Sequence, residues 1–379
     1  MRVAFYAPMK PPDDPVPSGD RTMARQMVAA LRLAGHAVTL ASRLRSRDGN
    51  GDPARQARLA ALGARLADRL ARRLRRRPPD AWFTYHVYHK APDWIGPAVS
   101  RALGIPYVIA EASVAGKRAD GPWATGYAGA AAAIRAADAV IGLNSRDAPG
   151  VLRLIGRDDR LHLLRPFADV APFAAAAAER DRHRAALADR HGLDPSRPWL
   201  LAVAMMRPGD KLASYRVLAG ALAGLGGAPW QIVVVGDGPA RPAVEALLRP
   251  LGDDRVRWAG LQPPEALAAY YAAADVLAWP AVREAYGLAI LEAQAAGLPV
   301  VAGDAGGVPD IVRDGITGRL TAEGDAAGFA AAVADMLYLP AARRAMREAA
   351  LAATARDHAI AVAAGRIDAI LHSVARVPA

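Results

Sequence analysis

Two glutamates, Glu284 and Glu292, stand eight residues apart around a glycine in the stretch E-A-Y-G-L-A-I-L-E. A strand-like run, Val276–Trp279, ends just before Pro280. An apolar helical pattern follows Gly287. Glu284 therefore falls in a loop, and Glu292 about one and a half turns into a helix. The backbone N–H groups of Tyr286, Gly287, Leu288 and Ala289 are then free at the helix start. Together with the helix dipole they form an anion site. A carboxylate on each side suits a phosphate flanked by two polyols, because carboxylates accept well from paired hydroxyls. A nucleotide sugar, with its ribose, diphosphate and sugar, has that layout.

Three more segments end strands in the same half. Met205-Met206-Arg207-Pro208-Gly209-Asp210-Lys211 brings Arg207 and Lys211 into a Gly/Pro-containing loop, where two cations can neutralise a diphosphate. Gly236 and Gly238 make a tight strand-to-helix turn, and Leu261 follows Gly260 in a loop where a base can lie against backbone. The first half offers candidates for an acceptor. His86, His89 and Lys90 follow one strand, and Glu111 and Lys117 follow the next. Trp123 reads as a packed core residue or a platform for a sugar.

The elements that must position these groups are strands and helices in alternation. Strands are expected at Val3–Ala7, Val38–Ala41, Trp82–Tyr85, Tyr107–Ala110, Ala139–Leu143 and Leu161–Leu164. In the second half they are expected at Trp199–Ala204, Gln231–Val235, Val256–Ala259, Val276–Trp279 and Val300–Ala302. Helical patterns between them imply α/β domains with parallel sheets covered on both faces. Right-handed crossovers put every post-strand loop on one edge, where ligands bind. Two doubly wound, Rossmann-like domains facing across a cleft are expected: 1–170 for the acceptor and 171–355 for the nucleotide sugar. The break lies near Arg165–Leu193, with its prolines and the charged, Ala-rich run Glu179–Arg190. An Ala-rich helical tail runs from Ala341 to Val377-Pro378-Ala379; its last part, 356–379, is free to pack back on the first domain.

A length of 379 residues and an apolar fraction of 53% fit two such cores. Absence of cysteine excludes disulfides and thiolate metal sites. The start, Arg2-Val3-Ala4-Phe5-Tyr6-Ala7, reads as a strand rather than a signal peptide, and no apolar run reaches about 20 residues. A cytoplasmic protein is expected, with peripheral attachment to the inner face of the membrane as an option. That option comes from charge. Of a net +11, most sits between Arg43 and Arg77, where twelve arginines face three aspartates. Leu59, Leu62, Leu66, Leu70 and Leu74 make an apolar stripe on a helix there. Either the helix packs on its domain with a solvated basic face, or that face docks on an anionic membrane surface. Nucleic acid is disfavoured, since aromatic interleaving and known motifs are missing.

At Trp199–Leu320 above all, and over nearly the whole chain, the sequence resembles the retaining glycosyltransferases of family four, whose fold is called GT-B. The E-x7-E pair is Glu284…Glu292, and A-x-G-L-P-V-V and G-G-V-P-D-I-V-R-D-G-x-x-G follow it. The resemblance implies that Glu284 contacts the donor sugar and Glu292 the ribose. It maps the family's cationic pair onto Arg207 and Lys211. It makes Pro17-Ser18-Gly19-Asp20, before a helix Arg21–Leu33, the loop that brings Gly19 near the donor phosphate. Gly35–Thr39 matches as G-H-x-V-T. There are departures: Ser18 replaces the first of a glycine pair, Ala281 a frequent serine, and no histidine follows the fourth strand, where Glu111 stands instead. The resemblance further implies retention of configuration, domain closure, no metal and no cofactor beyond a UDP- or GDP-sugar donor. A saccharide or lipid-linked acceptor of the cell envelope would fit. A dehydrogenase lacks support, because no G-x-G-x-x-G follows the first strand. A nucleotide-sugar epimerase of the same fold and a non-catalytic nucleotide-sugar-binding protein remain as alternatives.

Overall fold

Buried β-branched and aromatic runs recur along the chain, and each one forms a strand in the computed structural model, which describes residues 1–227 and 229–375. The first six are β1 (Arg2–Tyr6), β2 (Ala37–Ser42), β3 (Ala81–Val87), β4 (Tyr107–Ala112), β5 (Ala139–Gly142) and β6 (Leu161–Leu163). They form one sheet in the order β2-β1-β3-β4-β5-β6, parallel throughout. The next six are β7 (Trp199–Val203), β8 (Gln231–Val235), β9 (Val256–Gly260), β10 (Val276–Trp279), β11 (Val300–Gly303) and β12 (Gly318–Thr321). Their order is β12-β11-β10-β7-β8-β9, again all parallel. Helices cover both sheets, so this is the doubly wound α/β architecture, twice. The eleven expected strands all form, with ends within two residues. β12 is additional: its sequence, G-R-L-T, has one apolar residue, and edge pairing with β11 rather than propensity makes it a strand.

The chain divides into two compact units. One is Met1–Arg165 with the segment that begins at Ile360; the other is Pro166–Ala359. The divide thus comes at 165/166 rather than 170/171, and the return at Ile360 rather than 356. Hydrogen bonds within the second unit explain both shifts. The Phe167 N–H donates to the Tyr286 hydroxyl (2.7 Å), which donates back to the Phe167 carbonyl (3.1 Å). His358 Nδ1 lies 2.6 Å from the Pro166 carbonyl oxygen, and the Ala168 N–H donates to the His358 carbonyl (3.0 Å). The charged run after the divide is no linker. It forms helices Ala171–Ala178 and Arg180–His191, and Arg180 and Arg184 clasp Asp275 at 2.6 and 3.0 Å. The tail is two helices, Pro340–Asp357 and Ile360–Ser373, broken at His358-Ala359. The second packs on helix Gly19–Leu33 in the first unit, where Asp368 reaches His36 at 3.2 Å. The expected end at Val377-Pro378-Ala379 lies outside the described residues.

Helix Gly19–Leu33 starts two residues earlier than expected because Ser18 is its N-cap: the hydroxyl accepts from the Arg21 N–H at 3.2 Å. That is a local reason for a serine where the resemblance leads one to expect glycine. The basic helix is Pro53–Leu74, capped by Asp52, with Pro53 in its first turn. Its buried face runs through Gln56, Gly63, Ala67, Leu70 and Ala71. Leu62 is not on it, being 37% exposed. Gly63 lies there instead, because a Cβ at that position would come within 2.3 Å of the Trp94 Cβ. No helix among the described residues is long and apolar enough to cross a membrane.

Candidate functional site

In a doubly wound sheet, the loops diverge beside the first strand, where crossovers change direction, and ligands bind at that switch point. The second sheet has its switch point between β7 and β10. Lys211, in the first turn of helix Asp210–Ala223 after β7, and Glu284, in the loop after β10, form an ion pair there. The Lys211 ammonium also lies 5.5 Å from the centre of the Trp279 ring. Helix Leu288–Ala295 begins beside them. Its cap, Gly287, has φ +82°, a left-handed conformation that glycine adopts without strain. The N–H groups of Gly287, Leu288 and Ala289 make no backbone hydrogen bond among the described residues. Tyr286 contributes differently from the expectation, its phenol being the clamp on Phe167.

Glu292 accepts from the Tyr271 hydroxyl at 2.9 Å. Burial raises its carboxyl to about 7, against the opposing effect of that hydrogen bond. Burial, then Glu292 itself, hold the Tyr271 phenol well above its usual value. Arg207 is exposed after β7 and makes no ion pair among the described residues.

The glycines around these side chains permit close backbone approach. A Cβ at Gly306 (φ +49°) would lie 1.9 Å from the Glu284 carbonyl oxygen, so the G-G-V-P segment is what lets the Glu284 loop sit down. A Cβ at Gly236 (φ +137°) would lie 2.0 Å from the Ala204 carbonyl oxygen, and one at Gly238 (φ +152°) 2.3 Å from that of Met206. These two glycines therefore position the loop that carries Arg207, which is tied further by Met206 N–H to the Asp237 carbonyl at 2.9 Å. Ala281 (φ +55°) and Arg283 (φ +49°) are left-handed without being glycine, at a cost on the order of 1 kcal/mol each or more. Side chains hold that conformation: Ser214 accepts from the Val282 N–H and Glu323 from the Arg283 N–H, both at 3.0 Å. Leu261, after β9, is 74% exposed at the same edge.

The first sheet has its switch point between β1 and β3, and a second charged group gathers there. His86 Nδ1 lies 3.1 Å from an oxygen of Asp20. His86 (φ +65°) and Glu111 (φ +61°) are left-handed at the same level of β3 and β4, between the pairs Tyr85–Ala110 and Val87–Ala112. The Tyr85 hydroxyl donates to Glu111 at 3.3 Å. Burial pushes the His86 imidazole down, but Glu111, Asp20 and Asp147 outweigh it and raise it. Burial raises the Glu111 carboxyl. Burial, then Glu111, raises Asp147 to about 6. Asp20 and Asp147 were not singled out from the sequence. Only their places after β1 and β5 mark them, since no spacing motif does.

The other first-half candidates lie apart from this group. His89 packs edge-on against Trp123 with both ring nitrogens buried; burial, then Lys90 and Arg118, bring it to about 4. The Trp123 ring carries two cations, Lys90 at 5.2 Å and Arg118 at 4.7 Å from its centre. Lys117 is exposed on the turn Gly116–Arg118. Gly19 opens its helix, and a Cβ there would meet nothing within 4 Å. Among the described residues, no three of His, Cys, Asp and Glu are arranged to hold a metal ion.

Residues 197–338, which hold every element of the second-unit site, match the family described as "Glycosyl transferases group 1". A D-inositol 3-phosphate glycosyltransferase 1 from Catenulispora acidiphila is 30% identical over 296 residues, which cover 73% of this chain and 68% of that protein. The chain belongs to the group 1 glycosyl transferases. A D-inositol 3-phosphate glycosyltransferase from Nocardia farcinica is 34% identical over 215 residues, 54% of this chain and 46% of that one. The chain thus spans about half the length of such curated relatives. The crystal structure of HepE from Anabaena in complex with UDP has a TM-score of 0.74 at 17% identity, covering 98% of this chain and 100% of that one. Its likeness establishes the fold, a GT-B arrangement of two parallel six-stranded sheets with flanking helices.

Proposed function

We propose that the protein is a retaining glycosyltransferase that moves a sugar from a nucleoside-diphosphate sugar to an acceptor hydroxyl. The observation that carries this reading is the Lys211–Glu284 pair at the β7/β10 switch point, beside the unbonded N–H groups of Gly287, Leu288 and Ala289. In this reading the diphosphate lies against those N–H groups, with Arg207 and Lys211 as counter-charges. Glu292 holds the ribose, Glu284 the sugar hydroxyls, and Leu261 packs on the base. As the bond from the anomeric carbon to the diphosphate breaks, charge collects on the leaving oxygen. Fixed cations and N–H dipoles at that position stabilise it. The acceptor oxygen bonds to the anomeric carbon on the same face, and its proton leaves with the diphosphate. No carboxylate nucleophile takes part, so Glu284 and Glu292 are hydroxyl ligands and not a glycosidase pair. Cationic side chains supply the charge that a metal would otherwise supply.

For the acceptor we infer a polyol or saccharide that is neutral or amino-bearing at its reacting end. Asp20, Glu111 and Asp147 around His86 suit hydroxyl or ammonium groups and repel a phosphate. A lipid-linked saccharide of the cell envelope, glycosylated on the cytoplasmic side, meets that description. A UDP-sugar is the donor to try first, UDP being the nucleotide in the Anabaena complex.

The test is release of free nucleotide from UDP- and GDP-sugars, with and without saccharide acceptors. Acceptor-dependent release with the product's anomeric configuration unchanged supports the reading. Inversion, or interconversion of the sugar without an acceptor, would replace it with another mechanism or with an epimerase.

A further inference from the structure

The first unit carries a basic surface that glycosyl transfer does not use. Nine arginines lie between Arg55 and Arg77, all exposed, and none forms an ion pair among the described residues. The one acid in that span, Asp68, is exposed on the helix, while Gly63, Ala67 and Leu70 face inward. The helix ends beside β2, an edge strand with unusually little cover, no residue of it being fully buried. Alternation sends Ala37, Thr39 and Ala41 to one face of β2 and Val38 and Leu40 to the other. A cavity lies on each face. The first measures about 310 Å³, with an apolar floor from β1, β2 and Leu74 and a rim of Arg2, Arg73 and Arg77. Arg2 is paired with Asp80 at 3.2 Å, so Arg73 and Arg77 hold the unmatched charge. The second, about 700 Å³, repeats the pattern with Val28, Leu33, Val38 and Leu40 beneath Arg25 and Arg32.

We propose that the Arg73–Arg77 cavity seats the phosphate of a membrane lipid headgroup, and that the arginine face of helix Pro53–Leu74 brings the protein to the anionic surface that supplies it. Two guanidinium forks at a cavity mouth match the bidentate geometry of a phosphodiester. The apolar floor accepts the glycerol and upper chain carbons. A soluble phosphate would use the rim alone and leave nine arginines without a purpose. An extended, planar anion uses them all, each worth roughly fivefold in partitioning. Nucleic acid would leave both apolar floors empty and finds no aromatic side chain on the helix face. The cavity includes the first residues of β1 and β2, whereas His86 and Glu111 stand at the ends of β3 and β4. The inference therefore does not depend on the acceptor reading.

Co-sedimentation of the full chain with phosphatidylcholine vesicles, with and without phosphatidylglycerol, tests it. Binding is expected only with phosphatidylglycerol, weakening as salt rises. Two variants of equal charge, Arg73→Ala/Arg77→Ala and Arg55→Ala/Arg58→Ala, separate seat from surface. Each loses roughly thirtyfold from charge alone, and the cavity pair loses about tenfold more. Their melting temperatures, matched to the wild type, exclude misfolding. Equal losses in the two variants overturn the seat. No binding to anionic vesicles, with inorganic phosphate stabilising the wild type but not the cavity variant, makes the ligand a soluble phosphate and overturns the membrane. Displacement from vesicles by a short DNA duplex more effective than by free glycerophosphate points to nucleic acid and also overturns it.

Discussion

The two units share one architecture and use its switch point for opposite electrostatics. In the second, a lysine paired with a glutamate stands at the switch point, and a helix whose cap, Gly287, lies three residues after that glutamate carries the other one. In the first, three carboxylates surround one histidine, and the start of the helix after β1 carries Asp20 toward that histidine. The same loop positions, after the first strand and its neighbour, carry a lysine and helix-start N–H groups in one sheet and carboxylates around a histidine in the other, which under the proposed function suits an anion in the first case and hydroxyl groups in the second. Fold alone therefore says where ligands bind. The side chains on a handful of post-strand loops say which ligand goes where.

The sharpest break in that contrast comes from removing the anion site's cation. Lys211→Ala should lower kcat by about a thousandfold, since losing one charge stabiliser of a transition state has costs of that order. Unchanged kcat would remove Lys211 from the reaction. Next in size is Gly306→Ala. Its Cβ has no room beside the Glu284 carbonyl, and the fold should lose about 2 kcal/mol or more, read as a lower melting temperature. The same change at Gly19, where nothing lies within 4 Å, should leave the melting temperature nearly unaltered.

A smaller effect comes from Glu292→Gln. In the proposed role the carboxylate form of Glu292 accepts from ribose hydroxyls; the group is raised to about 7, so nucleotide affinity should rise with pH through that value. The glutamine variant should bind about tenfold more weakly at pH 8 and lose this pH dependence, as isothermal titration would report. Its melting temperature at pH 8 should be no lower than the wild type's. The raised value means that the folded state disfavours the charged form, and folding loses stability as pH rises from 4.5 toward 7. The smallest change should come from Glu111→Gln, with about a fivefold higher KM for the acceptor and the same nucleotide affinity. A weaker nucleotide affinity in that variant would erase the division of labour between the units.

The sequence made the second-unit site legible because its chemistry is local. Glu284, Gly287 and Glu292 lie on one loop and one helix start, so spacing carries geometry. The first-unit cup was half legible. His86 and Glu111 sit at strand ends, but Asp20, in the first turn of a helix, and Asp147, in a turn 127 residues further on, meet them only through sheet order. His89 and Lys117 looked equivalent to His86 and Glu111 by position, yet packing beside Trp123 and exposure on a turn set them apart. Helix periodicity put Leu62 on the buried stripe; Trp94, distant in sequence, makes Gly63 the contact. β12 was invisible because only its partner strand makes it a strand. The break at His358 was hidden because a distant backbone carbonyl, that of Pro166, holds the turn there.

The most direct test of the central claim is amide hydrogen exchange of the full chain with and without UDP and GDP, resolved to peptides. A bound nucleotide should slow exchange at Arg207–Lys211 and at Gly287–Glu292. Binding that leaves both of these segments unprotected would contradict it.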